Sequence, residues 1–411
     1  MSTGEPREAR THWAAVLAAL AAGVVAGAAI GRLSPALPLL QSEFGLSLIA
    51  AGWLASMFNT IAVASAIFFG LACDRAGALR FSLFGLACLI AGGALGAAAP
   101  AAAWIFGSRI LEGAGLVAIA VAAPSLIAAA SSPSQRGLAL GLWGTYMPIG
   151  GAAAIAASPL LIALVGWRGL WATGVILALI SAAFIGSQSR HYAGAKAGSR
   201  RSLANIRSSL AQPVPWLLGG AFAVYTLQFN IVMIWLPTYL LQTRATDATT
   251  AAMLTALFVF VNIFGNVTGS WLVHRNAPRG LVIGATFVLT TAAFVAMFSG
   301  GLADGWRYAC VLAYGFVTGN IPPTVIAGGA RYARAPGEAG SIQGLIVQCS
   351  NFGTFVGPPL VAAAVTHGGS WNAALYVILP AATLGLALAF AIWRLEARDP
   401  AGPAAAQRPA Y

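Results

Sequence analysis

Charged residues are scarce in this 411-residue chain. Asp, Glu, Lys and Arg make up 8% of the sequence and apolar residues 59%, whereas soluble globular domains carry about 25% charged residues. Since so few charges cannot cover the surface of a water-soluble fold, much of the protein must face lipid. The long apolar runs lack the alternation of strands, so the sequence predicts membrane-spanning helices rather than a closed barrel.

Cysteine and lysine are also rare. The four cysteines, Cys73, Cys88, Cys310 and Cys349, stand singly, so neither a disulfide framework nor a metal centre is expected. The single lysine, Lys196, stands in Ala-Lys-Ala, which excludes a P-loop nucleotide site. No metalloprotease or hydrolase motif is present. We therefore expect a protein that is not an enzyme and that needs no cofactor and no metal.

The charge that is present is mostly positive. The chain has 22 Lys and Arg against 10 Asp and Glu, a net charge of +12. With twelve spans and a cytoplasmic N-terminus, two of the 22 basic residues lie in spans and three in outer loops, which leaves seventeen in cytoplasmic segments. This positive-inside pattern predicts a multi-pass protein of the cell inner membrane with both termini in the cytoplasm. It explains the basic balance without nucleic acid, which we do not expect as a partner.

The apolar runs fall into two groups of six predicted spans. The first group is 13–39, 48–72, 81–101, 104–129, 138–164 and 169–187, and the second is 214–241, 250–273, 280–301, 307–330, 341–366 and 372–393. The most polar stretch lies between the groups. We therefore predict an N-terminal bundle at 1–187, a cytoplasmic linker at 188–213, a C-terminal bundle at 214–393 and a cytoplasmic tail at 394–411.

Short patterns recur in the two halves. This repetition predicts two halves related by a pseudo-twofold axis along the membrane normal, an architecture in which the substrate binds between the halves near the midplane. Two patterns recur at an offset of 199–200 residues, and a third pairs two glycine-rich segments. They are Leu37-Pro38 with Leu236-Pro237, Asp74-Arg75 with His274-Arg275, and Gly144–Gly151 with Gly353–Pro359.

The loop after the second span has the pattern G-x-x-x-D-R-x-G-x-x-R, formed by Gly70, Asp74, Arg75, Gly77 and Arg80. It resembles the signature loop of the major facilitator superfamily of transporters. The resemblance implies an all-α membrane fold of twelve helices in two pseudo-symmetric six-helix bundles. It also implies that these five residues form a latch that holds the halves in one access state.

Further segments carry the same resemblance. The fourth span, Arg109-Ile-Leu-Glu112-Gly113-Ala-Gly115, is similar to the R-x-x-x-G-x-G motif of the superfamily. The fifth span resembles its Gly-Pro motif, with Met147 in place of the Gly before Pro. The seventh span and an arginine in the first are similar to those of bacterial cyanate-type and small-anion permeases. Predicted hinge and packing positions are Gly144, Pro148, Gly150, Gly151, Gly357 and Pro358.

Ionisable residues within the predicted spans are Arg32, Arg109 and Glu112. Arg109 and Glu112 are one helical turn apart and can neutralise each other, which leaves Arg32 uncompensated. A guanidinium suits a carboxylate or another planar anion, so we expect a small organic or inorganic anion as the substrate. The alternative is that Arg32 reaches the outer lipid headgroups.

These residues predict a secondary transporter. It would bind a small solute between its two bundles and move it by alternating access. An efflux antiporter for drugs or metabolites, driven by protons, is the alternative within the same superfamily. The expected partners are the solute, membrane lipids and protons, with the chain acting as a monomer and Glu112 as the proton-coupling candidate. The substrate-binding candidates, whose polar members can equally join helices, are Arg32, Asn59, Arg109, Tyr146, Tyr225, Gln228 and Asn351.

Overall fold

Helices account for all the regular structure in the described part of the chain. The protein is seen in a computed structural model that describes residues 10–193, 208, 210–298, 302–332 and 338–398, with the backbone alone at 65–67, 70, 71, 74, 330 and 339. The helices are α1 (Trp13–Gly31), α2 (Leu33–Phe44), α3 (Leu48–Met57), α4 (Thr60–Ala76), α5 (Ala78–Ala97), α6 (Ala102–Ala130), α7 (Arg136–Trp143), α8 (Tyr146–Ser187), α9 (Pro213–Thr243), α10 (Ala248–His274), α11 (Arg279–Phe298), α12 (Asp304–Thr318), α13 (Ile321–Arg331), α14 (Glu338–Gly368) and α15 (Leu375–Arg398).

These helices form twelve spans. By length and hydropathy, 10 stretches of the described chain are able to cross a membrane. One of them, Arg136–Ser187, is 52 residues long and is broken at Gly166, so it supplies the fifth and sixth spans. The second span, which is not among the 10, is divided at Asn59 into α3 and α4. The all-α membrane fold predicted from the sequence is confirmed.

The breaks within spans have local causes. Gly166 has φ 70° and ψ 175°, a conformation that glycine adopts without a steric penalty. Proline also removes a backbone N–H from the ladder within two spans, at Pro38 in α2 and Pro237 in α9. The start of α10 is capped by a side chain: the carboxylate of Asp247 accepts bonds from the Thr250 hydroxyl and N–H, which hold the pKa of Asp247 below its usual value.

The apolar interior differs between the two faces of the molecule. We call the face at which α1 begins and α15 ends the terminal face, and the opposite one the distal face. In the distal half, Leu37 and Leu54 of the first six spans share one continuous core with Leu236 and Val361 of the last six. In the terminal half each bundle keeps a separate core. The bundles are therefore joined at the distal face and separate toward the terminal face.

Glycine allows the same close helix pair in both bundles. A Cβ at Gly150 would overlap Val24 O, where the fifth span crosses the first, and a Cβ at Gly353 would overlap Ala223 O, where the eleventh crosses the seventh. Gly150 and Gly353 are thus equivalent in packing. The repeat in the sequence paired Gly144 with Gly353. That pairing is displaced by six residues from the packing equivalence of Gly150 and Gly353.

We expect Gly150→Ala to lower the thermal midpoint of unfolding, because the added Cβ would push α8 away from α1, and overpacking costs about 1–3 kcal/mol. Gly186→Ala is the matched control in the same helix, since nothing lies within 4 Å of a Cβ there. Intrinsic tryptophan fluorescence during heating in detergent measures both midpoints. Equal midpoints for the two variants would contradict this packing argument.

Candidate functional site

Three charged side chains meet inside the N-terminal bundle, near mid-depth. Arg109 Nη1 donates to Glu112 Oε2 at 2.6 Å and to Ala29 O at 2.7 Å. Arg32 Nη2 donates to the other carboxylate oxygen, Glu112 Oε1. The exposed fractions of the three residues are 4% for Arg32, 1% for Arg109 and 0% for Glu112. One carboxylate therefore bridges two guanidinium groups in a place shielded from solvent.

Small residues on neighbouring spans leave the space for this cluster. Arg32 lies at the junction of α1 and α2, while Arg109 and Glu112 lie on α6. A Cβ at Gly92 of α5 would come within 2.8 Å of Glu112 Cγ, and a Cβ at Gly174 of α8 would overlap Arg32 Nη1. The first, third, fourth and sixth spans thus enclose the charges together.

Aromatic rings cover both guanidinium groups. Arg32 Cζ lies 4.7 Å from the ring centroid of Trp171, and Arg109 Cζ lies 4.4 Å from that of Phe58. Such cation–π contacts contribute about 2 kcal/mol when desolvated, which offsets part of the cost of burying charge in a membrane. Three buried N–H groups still lack a hydrogen-bond partner in the described structure: Arg32 Nε, Arg109 Nε and Trp171 Nε1. The cluster is therefore rich in unused donors.

The arrangement differs from the sequence expectation in one respect. We expected Arg109 and Glu112 to neutralise each other and Arg32 to stand alone or reach the headgroups. Instead Arg32 is buried and shares Glu112 with Arg109. Both predictions for Arg32, that its charge is uncompensated and that it reaches the lipid headgroups, are therefore wrong. The Glu112 carboxylate has two oxygens, and each accepts from a different arginine. The surplus of one positive charge belongs to the cluster as a whole.

The other substrate-binding candidates do not join this cluster. Asn59 lies at the α3–α4 break, next to Phe58, and is 7% exposed. Tyr146 stacks on Trp143, with ring centroids 4.1 Å apart, near the terminal end of α8. Asn59 is therefore adjacent to the charged cluster through the chain, whereas Tyr146 lies nearer the terminal face.

The candidates of the C-terminal bundle also lie apart from one another. Tyr225 packs between the rings of Phe222 and Phe229. Gln228 Nε2 donates to Ile378 O at 3.3 Å, so this side chain points toward α15 within its own bundle. Asn351 is half-buried on α14. A role in substrate binding for these residues stays a prediction.

The predicted latch lies at the terminal face, where α4 meets α5. Gly77 has φ 86° and separates the two helices, and Arg75 and Arg80 are exposed. The side chain of Asp74, like position 70, lies outside the described side chains. Their latch role stays a prediction.

Most of the predicted hinge positions lie at helix crossings. Gly151 packs its backbone against Gly31, Gly357 faces Leu227 O, and Gly52 of α3 faces Pro358 O across the two bundles. Gly144 and Pro148 flank the start of α8, where α7 ends. Their role in bending or opening stays a prediction, but four of the six predicted positions lie where backbones approach closely.

Sequence reasoning missed the aromatic residues that complete the site. Phe58 and Trp171 lie against guanidinium groups, yet the chain has 12 Trp and 20 Phe and nothing local marks these two. A signal did exist for the glycines: Gly92 and Gly93 form a pair within a span, a sign of close contact between helices. The partners at those contacts could not be identified without the fold.

Two pseudo-symmetric six-span bundles, with ionisable side chains buried near mid-depth, are the architecture of secondary transporters. The sequence profile of the Major Facilitator Superfamily matches residues 19–358. The chain belongs to this superfamily, as the signature loop and the fourth span predicted.

Relatives of known sequence are transporters of several solutes. The chain is 26% identical over 271 residues to the probable nitrate/nitrite transporter NarK2 of Mycobacterium tuberculosis. The aligned region covers 65% of this chain and 66% of that protein. It is 26% identical over 216 residues to the galactose-proton symporter of Escherichia coli, covering 51% and 46%. It is 24% identical over 281 residues to the putative niacin/nicotinamide transporter NiaP of Bacillus subtilis, covering 67% and 69%.

Solved structures share the fold at lower identity. A bacterial homologue of the human lysosomal transporter Spinster, in an inward-facing and occupied conformation, superposes with a TM-score of 0.73 at 15% identity and covers 93% of this chain and 96% of that one. The D-xylose-proton symporter gives a TM-score of 0.72 at 16% identity, with 93% and 97% covered. These likenesses confirm the predicted fold over nearly the whole chain.

The shared carboxylate predicts an unequal response to charge removal. Glu112→Gln would leave two buried guanidinium groups without a counter-charge, and loss of one partner of a buried pair costs about 3–5 kcal/mol. Arg32→Met would leave a neutral Arg109–Glu112 pair, so we expect a much smaller loss, because no buried charge then remains without a counter-charge. Thermal midpoints of both variants check this order.

Glu43→Gln is the matched control for the carboxylate change. Glu43 pairs with Arg168 at 2.7 Å on the distal surface, where both side chains are well exposed, and exposed pairs contribute at most about 1 kcal/mol. If Glu43→Gln and Glu112→Gln lowered the midpoint equally, the shared carboxylate would not be the stabilising centre described here.

Proposed function

We propose that this protein is a secondary transporter that moves a small organic or inorganic anion across the inner membrane by alternating access, with the anion bound between the two bundles. The observation that carries the proposal is the surplus positive charge of the Arg32–Glu112–Arg109 cluster. Within the described spans, no other acidic side chain reaches this cluster.

A buried surplus charge favours an anion for a physical reason. Charges act over longer distances where water is excluded, and a cleft with low-dielectric walls concentrates ions of the opposite sign. Arg32 and Arg109 each keep an Nε–H without an acceptor, so their positive charge is not fully compensated inside the N-terminal bundle, and its field attracts an anion in the cleft beside that bundle. A planar anion fits the fork of a guanidinium better than a sphere does.

The relatives support a small solute but differ in its charge. One is named as a nitrate/nitrite transporter, one as a galactose-proton symporter and one as a niacin/nicotinamide transporter. Nitrate and nitrite are small planar anions, the class that the charge cluster favours. Since the sequences are about a quarter identical, the relatives support the class of reaction more strongly than the substrate.

The fold and the charge distribution together support an inward-facing access state. The bundles share a core in the distal half and have separate cores in the terminal half. We place the terminal face in the cytoplasm, because most basic residues outside the spans lie on that side. The protein is then in an inward-facing state, closed to the outside.

Glu112 is the proposed proton carrier. The cluster carries two positive charges and one negative charge. If Glu112 takes up a proton while one monovalent anion binds, the loss of the carboxylate charge is matched by the charge of the anion, and the net charge stays at +1. Symport of one proton with one anion therefore avoids adding charge to the membrane interior, which is costly.

The anion proposal is tested by thermal shift. Nitrate, nitrite, formate and nicotinate should raise the midpoint of the purified protein, because a ligand that binds the folded state stabilises it by about 2.7 kcal/mol at a hundred-fold excess over its Kd. Galactose and quaternary ammonium ions should not. Arg32→Met should abolish the shift, and Arg168→Met on the distal surface should retain it. Stabilisation by bulky cations instead would favour the efflux alternative.

The proton proposal is tested in proteoliposomes loaded with a pH-sensitive dye. Adding a stabilising anion outside should acidify the lumen, because each anion enters with a proton, and Arg32→Met should abolish this signal. Anion accumulation without a change in lumenal pH would show transport that does not use protons, and Glu112 would then be structural.

A further inference from the structure

Two side chains donate hydrogen bonds from one bundle to the other, among bonds whose partners both lie in the described chain. Gln348 Nε2 of α14 donates to Val63 O of α4. Ser34 Oγ of α2 donates to Met233 O at 2.7 Å and approaches Ile234 O at 3.2 Å, both on α9. The ion pairs between described residues stay within one bundle or the other. The contact of Ser34 lies in the distal core that joins the bundles.

Met233 O needs this donor because of a proline. In a helix the carbonyl of residue 233 accepts from the N–H of residue 237, but position 237 is proline and has no N–H. The carbonyl therefore lacks its partner within α9. A buried carbonyl without a partner is destabilising because it has lost its bond to water, and the Ser34 hydroxyl supplies the missing bond from the other bundle.

The position of Ser34 follows from the internal repeat. Ser34 precedes Pro38 by four residues, as Met233 precedes Pro237 by four, and the two prolines are the matched Leu-Pro pairs of the first and seventh spans. The contact thus joins equivalent positions of the two halves, and it lies where the pseudo-twofold axis passes. A bond on the axis is broken when the halves rotate apart on this side.

The surroundings leave no substitute for the bond. Ser34 is 0% exposed, and its neighbours in the distal core include Leu33, Leu37 and Ile231. Water is excluded there while the bundles are joined. The hydroxyl therefore makes a directional polar contact within an otherwise apolar interface. This contact stabilises the closed distal interface and fixes how α2 and α9 are aligned against each other.

We infer that Ser34 is a positioning residue for transport: it holds the distal closure by capping the Met233 carbonyl that Pro237 leaves free, and so sets the balance between the state closed at the distal face and the state open there. Opening exchanges this bond for water on both groups. The inference rests on alternating access, part of the proposed function, and is independent of which solute is carried.

Spin labels on the two bundles measure this balance. Ser42→Cys at the distal end of α2 and Ala248→Cys at the start of α10 are exposed, and the native cysteines are replaced by alanine. Ser34→Ala should raise the ratio of the long-distance to the short-distance population about five-fold, since one hydrogen bond contributes about 1 kcal/mol. No solute is added, so a wrong substrate assignment does not affect the result.

Proline variants decide whether the carbonyl is the partner that matters. Pro237→Ala returns an N–H to α9, which can bond to Met233 O in both states, so Ser34→Ala should have less than about a two-fold effect in that background. Pro38→Ala is the matched control, because it removes the equivalent proline without giving Met233 O a donor. In that background Ser34→Ala should keep its full effect.

Three results would overturn the inference. One is an unchanged distance distribution in Ser34→Ala protein whose elution and thermal midpoint are normal. Another is an equal effect of Ser34→Ala with and without Pro237→Ala. The third is a reduced effect in the Pro38→Ala control, which would mean that the bond responds to helix bending in general.

Discussion

The structure depends on one carboxylate shared by two guanidinium groups in the interior of a membrane protein. Glu112 accepts a hydrogen bond from Arg32 through one carboxylate oxygen and from Arg109 through the other. Charges in this environment are tolerated only when they are paired and hydrogen-bonded. The need to pair them brings the first and fourth spans together, and the glycines and aromatic rings of neighbouring spans complete the enclosure.

The charge cluster and the moving interface occupy different places. The cluster lies within the N-terminal bundle, so under the proposed alternating access it would move with that bundle. The contacts that must break lie between bundles, in the apolar distal core and at Ser34. In alternating access, the contacts between the bundles would then break and form on the two sides of the cleft. The charge that attracts the solute would stay in the N-terminal bundle throughout. The pseudo-twofold repeat supplies this division, because each half is stable through its own helix crossings.

How much the sequence predicts depends on the range of each interaction. Arg32, Arg109 and Glu112 could be selected because charge within a span is costly wherever it lies. Their pairing could not be predicted fully, since Arg32 and Glu112 are 80 residues apart and helical periodicity does not say which helices meet. Likewise, the sequence marked Gln228 as a substrate-binding candidate but could not show that it bonds to Ile378 within its own bundle. The spans needed only local patterns, which agreed with the structure, whereas the glycine pattern of the repeat was aligned six residues away from the equivalent packing positions, Gly150 and Gly353.

Uptake of an isotopically labelled anion into proteoliposomes, compared between the wild-type protein and Arg32→Met, tests the central claim most directly. The account predicts saturable uptake of nitrate or formate by the wild type and loss of that uptake in the variant, whose thermal midpoint is preserved. Unchanged anion uptake by Arg32→Met protein, or saturable uptake of a cation or a neutral sugar with none of the anions, would contradict it.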